Sequence, residues 1–473
     1  MSRHTQTTES RYFFLAITLI FLAGTYLRFW NLGEIPITFD EVFIPKLGYG
    51  YLIGKPSFPF VNAQPPMSNN IFAGSIWLYY QMPWTESLNL SKTTYEQLNP
   101  LSFRWINAAT GSILPLLFCG ITWLVTNNRL ITVLVCLLAA LEGTLIVDSR
   151  FAMNSPYILL FGFSGIWLFL KAINCTLPRL LFLSSGLAFG LAIAVKWSAL
   201  GLLAGLIGVV FFLQLLHLVD TYRPAVNSSA KAHLIPSNEI VSNLIALRWW
   251  VWLPYVVIAT VAGYILAWIP DMLVNSHIGF WGTHEHILNY HKEVDANAHA
   301  SCSKWYSWPL MLKPIAYYFS IGSSELDQQV KIFKDVHNFG NPAIYWMSTL
   351  SILVMMVMWV LGLGRWFTIG KHPKHFFLCS FIVAGYCANL LPWMLVDRCL
   401  FLYHYQPASI FAIITLAWAL GFSLTHRRIW IKSFGVVSLC LILMAFVYWS
   451  PNLLGLELTP DAFYQRMWLK SWI

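Results

Sequence analysis

The chain reads as a succession of apolar runs, each about as long as one bilayer crossing, separated by shorter polar stretches. A helix needs roughly 20 apolar residues to cross the hydrocarbon core. Segments of that kind lie near 12–30, 103–125, 129–147, 151–171, 179–196, 197–217, 249–271, 343–364, 374–396, 405–424 and 432–449, eleven in all. No polar break separates 179–196 from 197–217, so the pattern leaves their division open. The stretch "NNIFAGSIWLYYQMPW" is apolar and aromatic but too short to span, and it predicts a helix lying in the membrane interface. The pattern therefore predicts a single all-α polytopic membrane domain over 1–473.

Charge in the connections orients these segments. Arg129, Lys171 with Arg179, Arg223 with Lys231 and Arg248, Arg365 with Lys371 and Lys374, and Arg427 with Arg428 and Lys432 all fall on one side. The positive-inside rule makes that side cytoplasmic, with the N-terminus inside and the C-terminus outside. Two long loops, 31–102 and 272–342, then face outward, and 218–248 is an inner loop of linker composition with no chemistry expected. No internal repeat of the kind that marks many transporters is visible.

Composition narrows the class. Of 473 residues, 58% are hydrophobic and only 10% charged, with mean hydropathy +0.61, against about 25% charged in soluble domains. The net charge of +9 fits Lys and Arg in loops facing anionic lipid, and no nucleic-acid partner is expected. The polar start "MSRHTQTTESR" precedes a run long enough to span, which reads as a retained helix that also serves as targeting signal. Eight cysteines are scattered singly, five of them (Cys119, Cys136, Cys379, Cys387 and Cys440) inside apolar runs, and no disulfide framework is expected.

Three stretches carry candidate chemistry. In "PITFDEVFIP", Asp40 and Glu41 sit just beyond the first span, flanked by Phe39, Val42, Phe43 and Ile44. A solvated loop pair is the plain alternative, but a carboxylate in a half-dry site has its affinity for protons tuned, which suits a general base. Arg104, Arg150, Lys196, Arg398 and His404 fall near outer helix ends. Each alone could snorkel to the headgroups; together, opposite two acids, they read as an anion site suited to a lipid phosphate. The third stretch, "GTHEHILNYHKEVDANAHASCSKWYSWPLMLKP", holds His284, His286, His291 and His299. It lacks an H-E-x-x-H helix, so it reads as a loop docking over the site, with no metal centre. His291, His299 and Trp308, with Gln64 of the first loop, are the acceptor-side candidates.

"FDEVF", "PFVNAQPPM", "FRWINAATG", "DSRFAMNSP", "GLAIAVKWSALG", "HASCSKWYSWPLMLKPIAYYF", "GNPAIYW" and "LPWMLVDRCLFLYHYQPA" follow one another from about residue 28 to about 410. In this order they resemble the motifs of the protein O-mannosyltransferases, dolichyl- or polyprenyl-phosphate-mannose–protein mannosyltransferases of the GT-C superfamily. The resemblance implies a GT-C core of eleven helices with its active site on the outer face. It implies Asp40 as catalytic base, Glu41 as an acceptor contact, and Arg104 as the family's arginine at the start of the second helix. Arg104 before all, with Arg150, Lys196, Arg398 and His404, would stabilise the departing lipid phosphate, with no cofactor required. A divalent ion near Asp40 and Glu41 stays open, as does a dimer, which family members often form. Acceptors would be Ser or Thr hydroxyls of proteins.

Departures are clear: Gln64, Met67 and Asn69 stand where the family reads His, Leu and Lys, and Asn154 where an acid commonly follows S-R. The second, outer loop is too short for a MIR domain, which points to a bacterial-type member in the plasma membrane. A GT-C enzyme acting on a lipid or glycan, such as an aminoarabinose-type lipid A transferase, is the nearest alternative. A transporter is the alternative of another class, though it would place charges at the bilayer midplane.

Overall fold

The computed structural model describes residues 3–38, 40–55, 63–175, 177–222, 239–323, 331–369 and 375–473. Among them, ten helices are long and apolar enough to cross a membrane, or eleven when one bent pair counts as a single span. In chain order the helices are α1 (Arg3–Phe29), α2 (Ile44–Leu52), α3 (Met67–Tyr79), α4 (Leu101–Thr126), α5 (Arg129–Ala140), α6 (Gly143–Arg150), α7 (Ser155–Ala172), α8 (Pro178–Val195) and α9 (Leu200–Tyr222). They continue with α10 (Glu239–Ala246), α11 (Trp249–Val274), α12 (Gly279–Glu293), α13 (Pro342–Ile369), α14 (Phe376–Leu390), α15 (Gln406–Thr425), α16 (Ile429–Leu454) and α17 (Pro460–Arg466). The short interfacial stretch folds as α3, and the first outer loop also contains α2. Phe39, the segment 59–62 of "PFVNAQPPM", Arg223, Lys231, Lys371 and Lys374 lie outside the described residues.

Local chemistry explains the breaks. α5 and α6 meet at a 53° bend, where the Glu142 carboxylate accepts from the backbone N–H of Thr144 (3.1 Å) and Leu145 (2.8 Å). Those bonds satisfy the first N–H groups of a new helix and so start α6 in a new direction. The undivided apolar run 179–217 breaks at Lys196, whose backbone is extended, followed by a 3-10 turn over Trp197–Ala199. Arg179 stands at the start of that run, and the chain interrupts its helix at Lys196, the charged residue in the run's interior. α8 packs closely on α11: a Cβ on Gly186 or Gly190 would lie 2.3 Å from the Val256 carbonyl or 2.2 Å from the Thr260 carbonyl. Small residues that let backbones approach are the usual means of packing helices in lipid. α7 and α15 are the most enclosed spans, while α1, α13 and α16 lie at the periphery.

The all-α expectation needs one amendment. Within 272–342, after α12, the chain forms β1 (Ile315–Ser323) and β2 (Lys331–Asn338), joined by β3 (Glu457–Leu458) in an antiparallel sheet of order β1-β2-β3. Aromatic and β-branched residues in "IAYYFSIGS" and "KIFKDVHN" suit such pairing, but the stretches are too short to stand out beside the long spans.

A second amendment concerns the cysteines. Cys302 and Cys399 form a disulfide across 97 residues, tying the second loop to the segment that precedes α15. Both lie in loops far apart in sequence, so spacing alone does not pair them. A non-reducing digest of the full-length protein is expected to yield one cross-linked peptide pair carrying Cys302 and Cys399. The thiols of Cys119, Cys136, Cys175, Cys379, Cys387 and Cys440 should remain available for alkylation after denaturation. Alkylation of Cys302 or Cys399 without reductant would contradict the structure.

Candidate active site

The two long loops meet over a cavity of about 400 Å³ at one end of the helical bundle. Its wall brings together Asp40 and Gln64 of the first loop, Lys196 at the α8–α9 break, His291 of α12, His299, and Arg398 with His404 before α15. Glu41, Arg104, Arg150 and Trp308 do not line it.

The division between the two adjacent acids has a local cause. They open a 3-10 turn over Asp40–Val42, in which Glu41 N–H donates to the Thr38 carbonyl (3.0 Å) and Phe43 N–H to that of Asp40 (3.2 Å). The turn sends Glu41 into the protein, where it is fully buried, and leaves Asp40 half-buried at the cavity. Arg104 Nε donates to Glu41 Oε1 at 2.8 Å and Nη2 to Oε2 at 2.5 Å. The remaining Arg104 N–H groups reach the carbonyls of Leu32 (3.2 Å), Ile35 (2.6 Å) and Pro36 (2.8 Å), so every guanidinium donor is engaged. Glu41 also accepts from the backbone N–H of Thr38 (3.0 Å) and Ala152 (2.9 Å).

These contacts correct the expected roles. Arg104 is spent on Glu41 and the backbone that follows α1, and has no N–H left for a donor phosphate. Glu41 likewise has no free oxygen directed at an acceptor, which leaves Asp40 as the available carboxylate of the pair. Arg150 donates through Nη1 to the carbonyls of Leu27 (3.0 Å) and Trp30 (2.6 Å), capping the end of α1. Trp308 is fully buried, donates to Ser303 Oγ (2.9 Å), and stacks on His404 with ring centroids 5.9 Å apart. It braces the histidine from outside the cavity and does not face an acceptor.

The opposite wall is cationic. Lys196 Nζ lies 3.0 Å from His404 Nε2 and 5.5 Å from the centre of the Tyr403 ring. His404 Nδ1 is 3.0 Å from the Phe401 carbonyl. A charged Lys196 needs an acceptor at Nε2, which leaves the Nδ1–H for that carbonyl and the imidazole neutral. Burial and the facing Arg398 push the Lys196 ammonium down to about 7, while Asp40 and Asp148 pull it back up. Burial pushes Asp40 up to about 6; Lys196 opposes that rise, Glu41 adds to it and His299 opposes it. Burial, with Arg398 and Lys196 nearby, holds His291 down at about 4, a neutral ring at ordinary pH. Arg398 is lowered by burial, and among the described residues it donates only to the Cys399 carbonyl (3.2 Å) through Nη1. Of the other histidines, His284 is held between Tyr264 Oη (2.7 Å) and the Phe280 carbonyl (2.7 Å) and is stacked on Trp268.

Some lining residues lay outside the sequence reading: Ser68, Ser155 and Tyr403. Asn154, noticed only as a departure, lines the cavity too, and Asn107 places that turn by donating to the carbonyls of Phe151 (2.7 Å) and Met153 (2.9 Å). The signal for Asn154 was present in "DSRFAMNSP"; the conspicuous arginine of that motif drew the assignment. Removing one partner of a saturated buried ion pair strands the other charge, at a cost of about 3–5 kcal/mol. Arg104→Ala should therefore lower the melting temperature of the purified protein strongly. Arg398→Ala should leave it near wild type while weakening binding of polyprenyl phosphate. The reverse pattern would return Arg104 to the donor site.

The sequence matches the family model for dolichyl-phosphate-mannose-protein mannosyltransferase over residues 17–261, and that for the C-terminal four-span region of protein O-mannosyltransferase over 277–472. It is 25% identical over 421 residues to the polyprenol-phosphate-mannose–protein mannosyltransferase of Corynebacterium glutamicum, covering 79% of this chain and 77% of that one. The protein of the same name from Mycobacterium tuberculosis (strain CDC 1551 / Oshkosh) is 23% identical over 510 residues, covering 96% and 91%. The fold matches that of a chain in the S. cerevisiae Pmt1–Pmt2 protein O-mannosyltransferase complex bound to the sugar donor, with TM-score 0.76 at 13% identity, covering 98% and 92%. It also resembles the Archaeoglobus fulgidus oligosaccharyltransferase AglB, with TM-score 0.53 at 10% identity, covering 96% and 57%. With a helical GT-C architecture and both halves of its sequence matched, the chain belongs to the dolichyl-phosphate-mannose–protein mannosyltransferase family.

Proposed function

We propose that this protein transfers mannose, or a closely related hexose, from a polyprenyl- or dolichyl-phosphate to Ser or Thr hydroxyls of proteins, with inversion at C1. The observation that carries the reading is one cavity in which Asp40 is the single lining carboxylate among the described residues, with Lys196, Arg398 and His404 in the same wall. Asp40 takes the proton from the acceptor hydroxyl as its oxygen attacks C1. The C1–O bond to phosphate breaks, and its electron pair leaves with the lipid phosphate. Lys196 and Arg398 neutralise the charge that grows there, and His404 holds Lys196 in place. Groups already aimed at developing charge are each worth on the order of 3 kcal/mol, and general-base assistance a factor of about 100 to 10,000.

Two features support an active site on the non-cytoplasmic face. Helix connectivity puts Arg129, Lys171, Arg179, Arg248, Arg365, Arg427 and Arg428 at the end of the bundle away from the cavity, as the positive-inside rule asks of cytoplasmic loops. The Cys302–Cys399 disulfide lies at the cavity end, and disulfides persist in oxidising compartments.

Incubation with polyprenyl-phosphate mannose and a Ser/Thr-rich peptide, followed by mass analysis, tests the reaction, with lipid and glycan acceptors in parallel. Asp40→Ala and Asp40→Asn should lower peptide transfer by about 100- to 10,000-fold while binding of polyprenyl phosphate survives. Near wild-type transfer by both variants would sink the assignment of the base. Because Asp40 acts only when ionised, kcat/KM should fall about tenfold per pH unit below pH 6. A rate flat through that range would count against Asp40.

A further inference from the structure

Asp148 of α6 is buried, 1% exposed, and is not part of the cavity wall. Its Oδ1 accepts from Tyr317 Oη (2.7 Å) of β1 and from Asn338 Nδ2 of β2. Its Oδ2 accepts from Gln406 Nε2 (2.9 Å) at the start of α15. All three donors are neutral, and no cation pairs with Asp148 among the described residues. Neutral donors could equally hold an amide, so these bonds alone do not account for a charge at this depth, where an unpaired ion is costly.

The groups within electrostatic reach supply a reason. Gln406, which donates to Asp148, lines a small cavity together with Lys196, Tyr403 and His404, and Asp148 lies within the electrostatic reach of Lys196, Asp40 and the phenols of Tyr317, Tyr345 and Tyr403. Other charges on neighbouring elements are engaged elsewhere: Arg28 of α1 faces Glu142, Arg104 of α4 is spent on Glu41, and Asp335 of β2 bonds His337 and Asn452. Lys196 is badly placed for a cation, in a dry wall beside Arg398. Asp40 is its stronger counter-charge, but Asp40 loses its charge when it accepts the acceptor proton. Asp148, bonded on both oxygens and shut off from the acceptor, keeps its charge through that step.

We propose that Asp148 is a positioning residue for the donor-phosphate wall: an ionised carboxylate behind the cavity that keeps the Lys196 ammonium charged. Tyr317, Asn338 and Gln406 hold that carboxylate in register with Lys196, so the strand pair has an electrostatic role in the donor site. The inference rests on the reading that Lys196 contacts the lipid phosphate.

The test is the pH dependence of polyprenyl phosphate binding to the full-length purified protein. Two variants neutralise Asp148 by different chemistry: Asp148→Asn removes the charge, and Gln406→Lys pairs it. In either one that folds, affinity should match wild type near pH 6 and be lost about one pH unit earlier on the alkaline side. Around pH 7.5 that amounts to a roughly tenfold weaker Kd. Adding Lys196→Arg, which cannot deprotonate, should restore the alkaline affinity of Asp148→Asn. A purely structural role would weaken binding equally at every pH and would not be rescued by arginine; that pattern overturns the inference while leaving the function intact. Failure of the wild-type protein to bind polyprenyl phosphate at any pH would overturn the function, and the inference with it.

Discussion

The buried pair of Glu41 and Arg104 is the interaction on which the site depends. It joins the first loop to the beginning of α4 and gathers the carbonyls of Leu32, Ile35 and Pro36 and the N–H of Ala152 around one charge centre. Two desolvated charges are tolerable there because the geometry is bidentate and every remaining donor is satisfied. The pair turns Glu41 inward and thereby orients its neighbour: within a turn only three residues long, a fixed Glu41 leaves Asp40 to face the cavity.

The same drying that makes this pair stiff adjusts the reactive groups. Burial raises Asp40 and lowers Lys196, toward about 6 and about 7. Each charge also stabilises the other, so Asp40 remains ionised and Lys196 charged near neutral pH. Opposite shifts on facing groups are how one site holds a proton acceptor and an anion-binding cation together. His404 links the two requirements, accepting from Lys196 on one nitrogen and anchored to the Phe401 carbonyl on the other, with Trp308 stacked behind it.

Long-range ties then convert two loops into one wall. The Cys302–Cys399 bond fixes the second loop beside Arg398, and Asp148 draws β1, β2 and the start of α15 onto α6. These contacts join residues about a hundred or more positions apart, and all lie at the cavity end of the bundle.

The sequence by itself determined the spans, the two long loops and the family, because hydropathy over 20 residues and ordered motifs are local properties. It also singled out Asp40, Lys196, Arg398, His404, His291, His299 and Gln64 as candidates, all of which line one cavity, since charge or polarity near a span end is legible without coordinates. Only the tertiary structure decided which polar groups face the cavity and which are consumed in holding it. Arg104 and Lys196 look equivalent as cations near helix ends. One is saturated by Glu41 and backbone carbonyls, while the other emerges at a helix break into open space. The strand pair, the disulfide and the partners of Asp148 were illegible for the same physical reason: each depends on how distant segments satisfy one another's hydrogen bonds and charges after the chain has folded.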